Sequence, residues 1–439
     1  MKNKQFNQAL CQFLDASPTP FHATTNLLKI LTDAGFKEIN ESDDWRHLNK
    51  GKYVVTRNDS SLIAFNLSAK KLSESGFHMV GAHTDSPCLK VKPNAEVIKQ
   101  DYLQLGVEVY GGALLNPWFD RDLSLAGRIS YEAIDGSIKS KLINFCLPIA
   151  IIPSLAIHLD REANKKRSIN AQTDILPILL QGFEKTEVVQ SEKSEQDIFS
   201  SILKKQLKKQ YPKIKLKKIL AHELSFYDTQ AAALIGIQQD FISSSRLDNL
   251  LSCFIGAQAL INSNFKHSSL LVCNDHEEVG SQSTSGAQGN FLLSVLQRLC
   301  KDNETLLRCT HQSLLVSADN AHGIHPNYSD KHDKNHGPIL NQGPVIKINA
   351  NQRYASNSES IAIFQKYAND LDINIQKFVV RSDMGCGSTI GPLIASLVGV
   401  KTVDIGLATF AMHSIREVAG SQDPYLLYKI LNSFFSNKK

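Results

Sequence analysis

The sequence predicts an α/β fold: one domain of alternating strands and helices carried by residues 1–92 and 239–439, with a mainly β domain inserted at 93–238. Three observations lead there. Strand-like and helix-like segments alternate through the first and last parts of the chain, the pattern of a sheet covered by helices. The run Phe77–Ala82 is almost wholly apolar, as a central strand buried on both faces is. Between about Pro93 and Gln238 the alternation gives way to short β-like runs punctuated by Pro and Gly, and then to a lysine-rich stretch.

The elements follow in order. Residues 4–14 have amphipathic helical spacing and are stopped by Ser17-Pro18-Thr19-Pro20. A second helix, about Ala23 to Ala34, ends at Gly35, a C-cap signal. Strands are expected at Lys52–Arg57, Ser61–Asn66 and Phe77–Ala82. In the insert, Leu142–Leu159 is the longest apolar stretch, but Asn144, Pro148, Pro153 and Ser154 break it, so it reads as buried strand and loop rather than a membrane span. Ser200–Leu220 carries Lys204, Lys205, Lys208, Lys209, Lys213, Lys215, Lys217 and Lys218. Its first half has helical spacing, and Lys213–Lys217 alternates like a strand. A solvated face with edge-protecting lysines outweighs a nucleic-acid or membrane surface there. Beyond the insert, helices are expected at Asp248–Asn262, Asn290–Lys301, Ser358–Leu371, Pro392–Val398 and Asp423–Phe434. Strands are expected at Ser269–Cys273, Ser313–Ser317, Gln376–Val380 and Thr402–Ile405.

Composition narrows the function. A formal net charge of +5 over 439 residues gives no general reason to expect nucleic acid as a partner. The eight cysteines include no C-x-x-C pair, which fits reduced thiols in a cytoplasmic protein rather than a disulfide framework. The N-terminus is polar and lacks a signal-type apolar region. A soluble, cytoplasmic chain is expected, with no nucleic-acid or membrane partner.

Chemistry concentrates where strands end, the place where ligands gather in an open α/β sheet. His83 and Asp85 directly follow the Phe77–Ala82 run. His83 is placed to bind a metal ion, and Asp85 to hold its imidazole tautomer; alone, a histidine and an Asx-type turn capping a strand fit equally well. Leu270–Asn274 runs into Asp275-His276-Glu277-Glu278. Neighbouring side chains of an extended segment point opposite ways, so one glutamate can bind metal while the other faces substrate. The zincin H-E-x-x-H pattern is absent, because position 280 is Gly. Leu314–Ala318 ends in Asp319 and His322, and Val403–Gly406 leads to His413. Asp248 opens a helix, where it could equally serve only to complement the helix dipole.

Together these residues suggest a dinuclear centre. Two divalent cations carry +4; carboxylates at Asp248, Glu278 and Asp319 with neutral His83 and His413 leave +1, which a bridging hydroxide cancels. Mixed imidazole and carboxylate ligands suit zinc, with manganese or cobalt as alternatives. Such a centre suits peptide hydrolysis. Glu277 remains as general base and later proton donor to the leaving amine.

The motifs Gly81–Pro87, Asn116–Asp122, Ser245–Cys253, Asp275–Ser281, Ser317–Tyr328, Gly343–Asn357, Ser382–Pro392 and Ala411–Glu417 resemble those of the aspartyl aminopeptidase family of dinuclear metallopeptidases, through nearly the whole chain. The resemblance implies a mixed-sheet α/β/α, zinc-exopeptidase-like catalytic domain with an inserted, mainly β dimerisation domain. It implies one ion on His83 and Asp319, another on Glu278 and His413, with Asp248 shared, and Glu277 as the catalytic base supported by Asp85. It further implies removal of N-terminal Asp or Glu from peptides, with Lys347 meeting the acidic side chain, although an exposed strand lysine is about as common a reading of that residue type. His322 and the Gly-rich loop holding Met384 and Gly385 would contact the peptide. A homododecamer of tetrahedral form, built from dimers, is implied as well, with His158 of the insert reaching a neighbouring active site; a histidine beside a buried strand is the alternative. The rival activity is a related dinuclear aminopeptidase preferring neutral N-terminal residues.

Overall fold

Strand alternation sets the layers. In Ser269–Asn274 every residue is buried; Leu271 and Cys273 join one hydrophobic core while Leu270 and Val272 join another. Because successive side chains leave a strand on opposite faces, such a strand needs cover on both sides. The structure, a computed structural model, describes residues 2–182 and 198–436.

It divides into two compact units, one of Met1–Ser86, Ala231–Met412 and Arg416–Lys439, the other of Pro87–Gln230 with His413–Ile415. The insert therefore begins at Pro87 rather than at 93 and ends at Gln230 rather than at 238. Position 93 falls inside one continuous 12-residue strand, Cys88–Lys99, and Ala233–Ile235 already pairs with Phe241–Ser244 of the first unit.

The first unit is built on strands β1 (Lys37–Glu38), β2 (Gly51–Arg57), β3 (Ser61–Leu67) and β4 (His78–His83). The insert holds β5 (Cys88–Lys99), β6 (Tyr102–Tyr110), β7 (Leu123–Ala133), β8 (Ile138–Asn144), β9 (Ile178–Gln181) and β10 (Leu216–Asp228). The first unit resumes with β11 (Ala233–Ile235), β12 (Phe241–Ser244), β13 (Ser269–Asn274), β14 (Leu314–Ala318), β15 (Ala321–His322), β16 (Val345–Lys347), β17 (Gln376–Phe378), β18 (Lys401–Gly406), β19 (Ala408–Phe410) and β20 (Glu417–Gly420).

Its main sheet is mixed, in the order β1-β2-β3-β13-β4-β14-β18-β16-β17. At its centre β13, β4, β14 and β18 run parallel. One face carries the core that includes Phe6, Leu27, Phe254, Leu260 and Phe434, from helices Asn3–Ala16, Pro20–Asp33, Leu247–Ile261 and Asp423–Ser436. The other carries Phe291, Leu296, Cys309 and Ile394, from helices Phe291–Cys300, Asn303–Gln312 and Ile390–Val398. This is the expected α/β/α arrangement. A smaller sheet, β11-β12-β20-β19-β15, belongs to the same unit.

The insert is a sheet ordered β8-β7-β10-β5-β6-β9, closed on one side by the helix Ile198–Gln210, whose Phe199, Leu203 and Leu207 enter its core. Here the strand expected from Lys213 starts only at Leu216 and runs on to Asp228. β10 bonds to β7 along its length but to β5 only at Ser225 and Phe226, so Lys217 and Lys218 stand on the part paired to β7 alone. Leu142–Leu159 is buried strand only in part: β8 ends at Asn144, Ala150 and Ile152 are buried, and Leu147, Leu155, Ile157 and Leu159 are exposed. Near the N-terminus, Ser17–Pro20 starts a helix as well as stopping one. Pro20 is the first helical residue and Thr19 caps it, accepting from the His22 N–H, because a proline at that position loses no hydrogen bond.

Candidate metal centre

Three neighbouring parallel strands, β13, β4 and β14, end at the same edge of the sheet. Strands lie roughly 4.8 Å apart, so side chains just past their ends fall within reach of one another. His83 is the last residue of β4, Glu277 and Glu278 lie in the short 3-10 turn after β13, and Asp319 follows β14. Asp248 joins them from the start of Leu247–Ile261.

His83 is the hub. Its ring is 1% exposed; Nε2 lies 3.4 Å from Asp248 Oδ1, 3.5 Å from Asp319 Oδ1 and 4.0 Å from Glu277 Oε2. Nδ1 faces the Asp85 carbonyl at 3.0 Å and the Asp85 carboxylate at 3.3 Å. With the proton on Nδ1, Nε2 turns its lone pair to the carboxylates, the second-shell arrangement of metal-binding histidines. The Asp85 carboxylate does more than the expected tautomer control: it accepts the backbone N–H groups of both Glu277 and Glu278 at 3.1 Å. One fully buried residue thus sets a ligand's ring and the turn that carries both glutamates.

Asp248 is not a helix-dipole acid. Its φ −83° and ψ 105° are not helical, its N–H donates to Glu417 Oε2 at 2.9 Å, and its carbonyl accepts from Ser86 Oγ at 2.5 Å. Glu417, itself buried, has a role here that local sequence could not reveal. It closes the Ala411–Glu417 motif, which was the available signal.

The electrostatics are those of crowded, buried anions. Burial first, then the Asp319, Asp248 and Asp85 carboxylates, push Glu277 up to about 8, against the lowering effect of His83. Burial and Asp248 likewise raise Glu278 well above the usual carboxylate range. Burial works against charge on Asp319 too, but Lys347 and His83 hold its carboxyl well below the ordinary value. Ligand atoms of His83, Asp248 and Asp319 lie within 4.8 Å of one another, as do those of His83, Glu277 and Glu278. Imidazole and carboxylate donors so gathered fit a divalent cation, and a cation there relieves the repulsion among them.

Lys347 is not an exposed strand lysine. It is 2% exposed, donates to Asp319 Oδ2 (3.3 Å) and the Asn320 carbonyl (3.1 Å), and lies 5.1 Å from the Tyr354 ring centre. Tyr354 in turn lines a cavity of about 280 Å³ together with His322, Met384 and Gly385, and with Lys331 and Arg381, which the sequence reading did not single out. Arg381 pairs with Asp383 at 2.5 Å.

Two expectations change. His413 does not end β18: β19 intervenes, and His413 lies on the turn between β19 and β20. Its carbonyl accepts from the Leu114 N–H at 3.0 Å and its Nδ1 faces the Gly112 carbonyl at 3.2 Å, so it is grouped with the insert. His158 is not beside a buried strand. It is exposed on a turn between Ile157 and Leu159, which are 47% and 75% exposed.

The chain is similar to known proteins through nearly its whole length. Residues 13–435 match the family profile described as aminopeptidase I zinc metalloprotease (M18). A protein of Ectopseudomonas mendocina (strain ymp), described as probable M18 family aminopeptidase 2, is 57% identical over 430 residues, 98% of each chain. The structure is similar to that of Ape4 in its complex with Nbr1 (TM-score 0.94, 39% identity, 99% of this chain and 86% of that one). It is also similar to the S. cerevesiae mApe1 dodecamer (TM-score 0.83, 28% identity, 98% of this chain and 95% of that one). Among the described residues, no helix is long and apolar enough to cross a membrane.

Proposed function

The chain belongs to the M18 family of zinc aminopeptidases, and on that premise we propose that it removes N-terminal Asp or Glu residues from peptides with two divalent ions, most simply zinc. The carrying observation is that His83, Asp248 and Asp319 bring their ligand atoms within 4.8 Å of one another. In this reading His83 and Asp319 hold one ion, Glu278 and His413 the other, and Asp248 both. When bound, such ions supply Lewis acidity toward the scissile carbonyl and toward water. Glu277 takes up the proton of the attacking water and delivers it to the leaving amine. Asp85 positions Glu277 through its backbone.

The acidic preference is supported by the cations near the site. Lys347 spends two of its donors on Asp319 and Asn320, which leaves one N–H for a substrate carboxylate. The cavity lined by His322, Met384 and Gly385 also carries Lys331 and Arg381. We further propose self-association through the insert into dimers and a tetrahedral dodecamer, with His158 serving a neighbouring active site; the exposed Leu155, Ile157 and Leu159 around it suit a surface that a second copy covers. A cytoplasmic location is in keeping with eight free cysteines.

The test is metal analysis beside turnover of Glu-, Asp- and Leu-p-nitroanilide by wild type and Glu277→Gln. Two ions per chain are expected in both proteins, with acidic anilides cleaved faster and the variant slower by about 10²–10⁴-fold. Undiminished hydrolysis refutes Glu277 as base. Faster Leu cleavage replaces the acidic reading with the neutral one.

A further inference from the structure

The lysine-rich stretch before β10 has no part in the metal centre. It folds back on the β7–β8 hairpin: the Ile134 N–H donates to the Lys215 carbonyl at 3.0 Å and Tyr211 Oη donates to the Leu142 carbonyl at 2.8 Å. Between hairpin and loop lies a groove of about 600 Å³, within the range of small-molecule sites. All of its lining residues belong to the inserted unit.

Two rows of ammonium groups flank it. Lys139 and Lys141 are two apart on β8 and so share a face, and Lys139 stands opposite Tyr131 on β7. Lys213 and Lys215 come from the facing loop. Tyr131, buried, and Tyr211 form apolar walls with Pro212 and Ile214, and Lys141 Nζ lies 5.3 Å from the Tyr211 ring centre. Compensation is sparse. Lys139 meets Asp135 at 3.4 Å, an exposed pair of small worth; among the described residues no carboxylate is within ion-pair distance of Lys141, Lys213 or Lys215.

Lysines that merely solvate a strand edge project singly into water. These four line one groove from two segments, beside an aromatic wall, so that one polyanion can meet several ammonium groups at once. All the cations are lysines. Ammonium groups serve phosphates well as point charges. A flat apolar part of the ligand has the half-buried Tyr211 ring to lie on.

We propose that this groove binds a nucleoside polyphosphate, with its phosphates on Lys139, Lys141, Lys213 and Lys215 and its base against Tyr211. The experiment is calorimetric titration of the metal-loaded full chain with ATP, inorganic tripolyphosphate and N-acetyl-tetraglutamate, whose blocked N-terminus an aminopeptidase does not cleave. It is run on wild type and on the double variant Lys141→Ala/Lys213→Ala, with Lys213→Gln as a milder second variant. ATP should bind saturably, at least about tenfold tighter than tripolyphosphate because of Tyr211, and about tenfold weaker in the double variant, a contact of the 1.4 kcal/mol scale. Anilide turnover and melting temperature should stay at wild-type values. Absence of ATP binding overturns the proposal, as does equal ATP binding by wild type and both variants. N-acetyl-tetraglutamate bound more tightly than ATP by wild type and more weakly by the double variant overturns it too, and makes the groove an acidic-peptide site.

Discussion

The ends of β4, β13 and β14 and the groove beside β8 both gather like charges, with opposite physical consequences. At the strand ends His83, Asp248 and Asp319 are buried and Glu277 and Glu278 half-buried, so the five feel one another strongly and Glu277 is pushed up to about 8. Beside β8 the charges are exposed, and water and salt screen each lysine from the next. Burial therefore turns scattered ionisable residues into one unit that calls for a cation, while exposure leaves each group nearly independent. Removing one member should be costly in the first region and cheap in the second.

The largest effect is expected for Asp248→Ala. It should abolish stoichiometric zinc retention and lower anilide turnover by about 10³-fold or more, as for a group acting as part of a catalytic unit; near-normal zinc content would break the contrast. Next comes Asp85→Ala, which frees the His83 ring and the Glu277 and Glu278 backbone together. Zinc affinity, read by chelator competition, should fall about 10–100-fold.

A third effect sharpens what burial does away from the metal. Burial lowers His78 to about 3, where it stacks on His267 and Phe434, and lowers His22 to about 4. Unfolded histidine titrates near 6.5, so the folded state binds fewer protons; stability is fully present above that pH and falls as pH drops from about 6.5 toward 4. The slope per histidine is at most about 1.4 kcal/mol per pH unit. Urea midpoints of wild type and His78→Gln measured across that window should converge as the pH falls; parallel curves would count against it. The smallest effect is expected for Lys217→Ala. The lysine meets Glu132 at 2.7 Å but is 60% exposed, so the urea midpoint should move by less than about 0.5 kcal/mol equivalent and activity not at all.

Legibility in the sequence followed periodicity. Ser61–Leu67, Ser269–Asn274, Leu247–Ile261 and Asp423–Ser436 lie within a residue or two of expectation, because their patterns are set by burial on known faces. The helix Asn303–Gln312 was not foreseen. It is largely polar, and its start is marked only by Asp302, which accepts from the Thr305 N–H. β19 was missed for the same reason, being only Ala408–Phe410, and that misplaced His413 at the end of β18.

By itself the sequence determined the layers, the presence of an insert and the strand ends that carry His83, Glu277, Glu278 and Asp319, because apolar period and strand length are local properties. Only the tertiary structure decided what those residues do to one another. Asp85 reaching two backbone N–H groups, Glu417 holding Asp248, and Lys347 buried on Asp319 are contacts between segments from 28 to 193 positions apart. No local pattern encodes them, since they arise only once parallel strands bring their ends to one edge and exclude water from the charges gathered there.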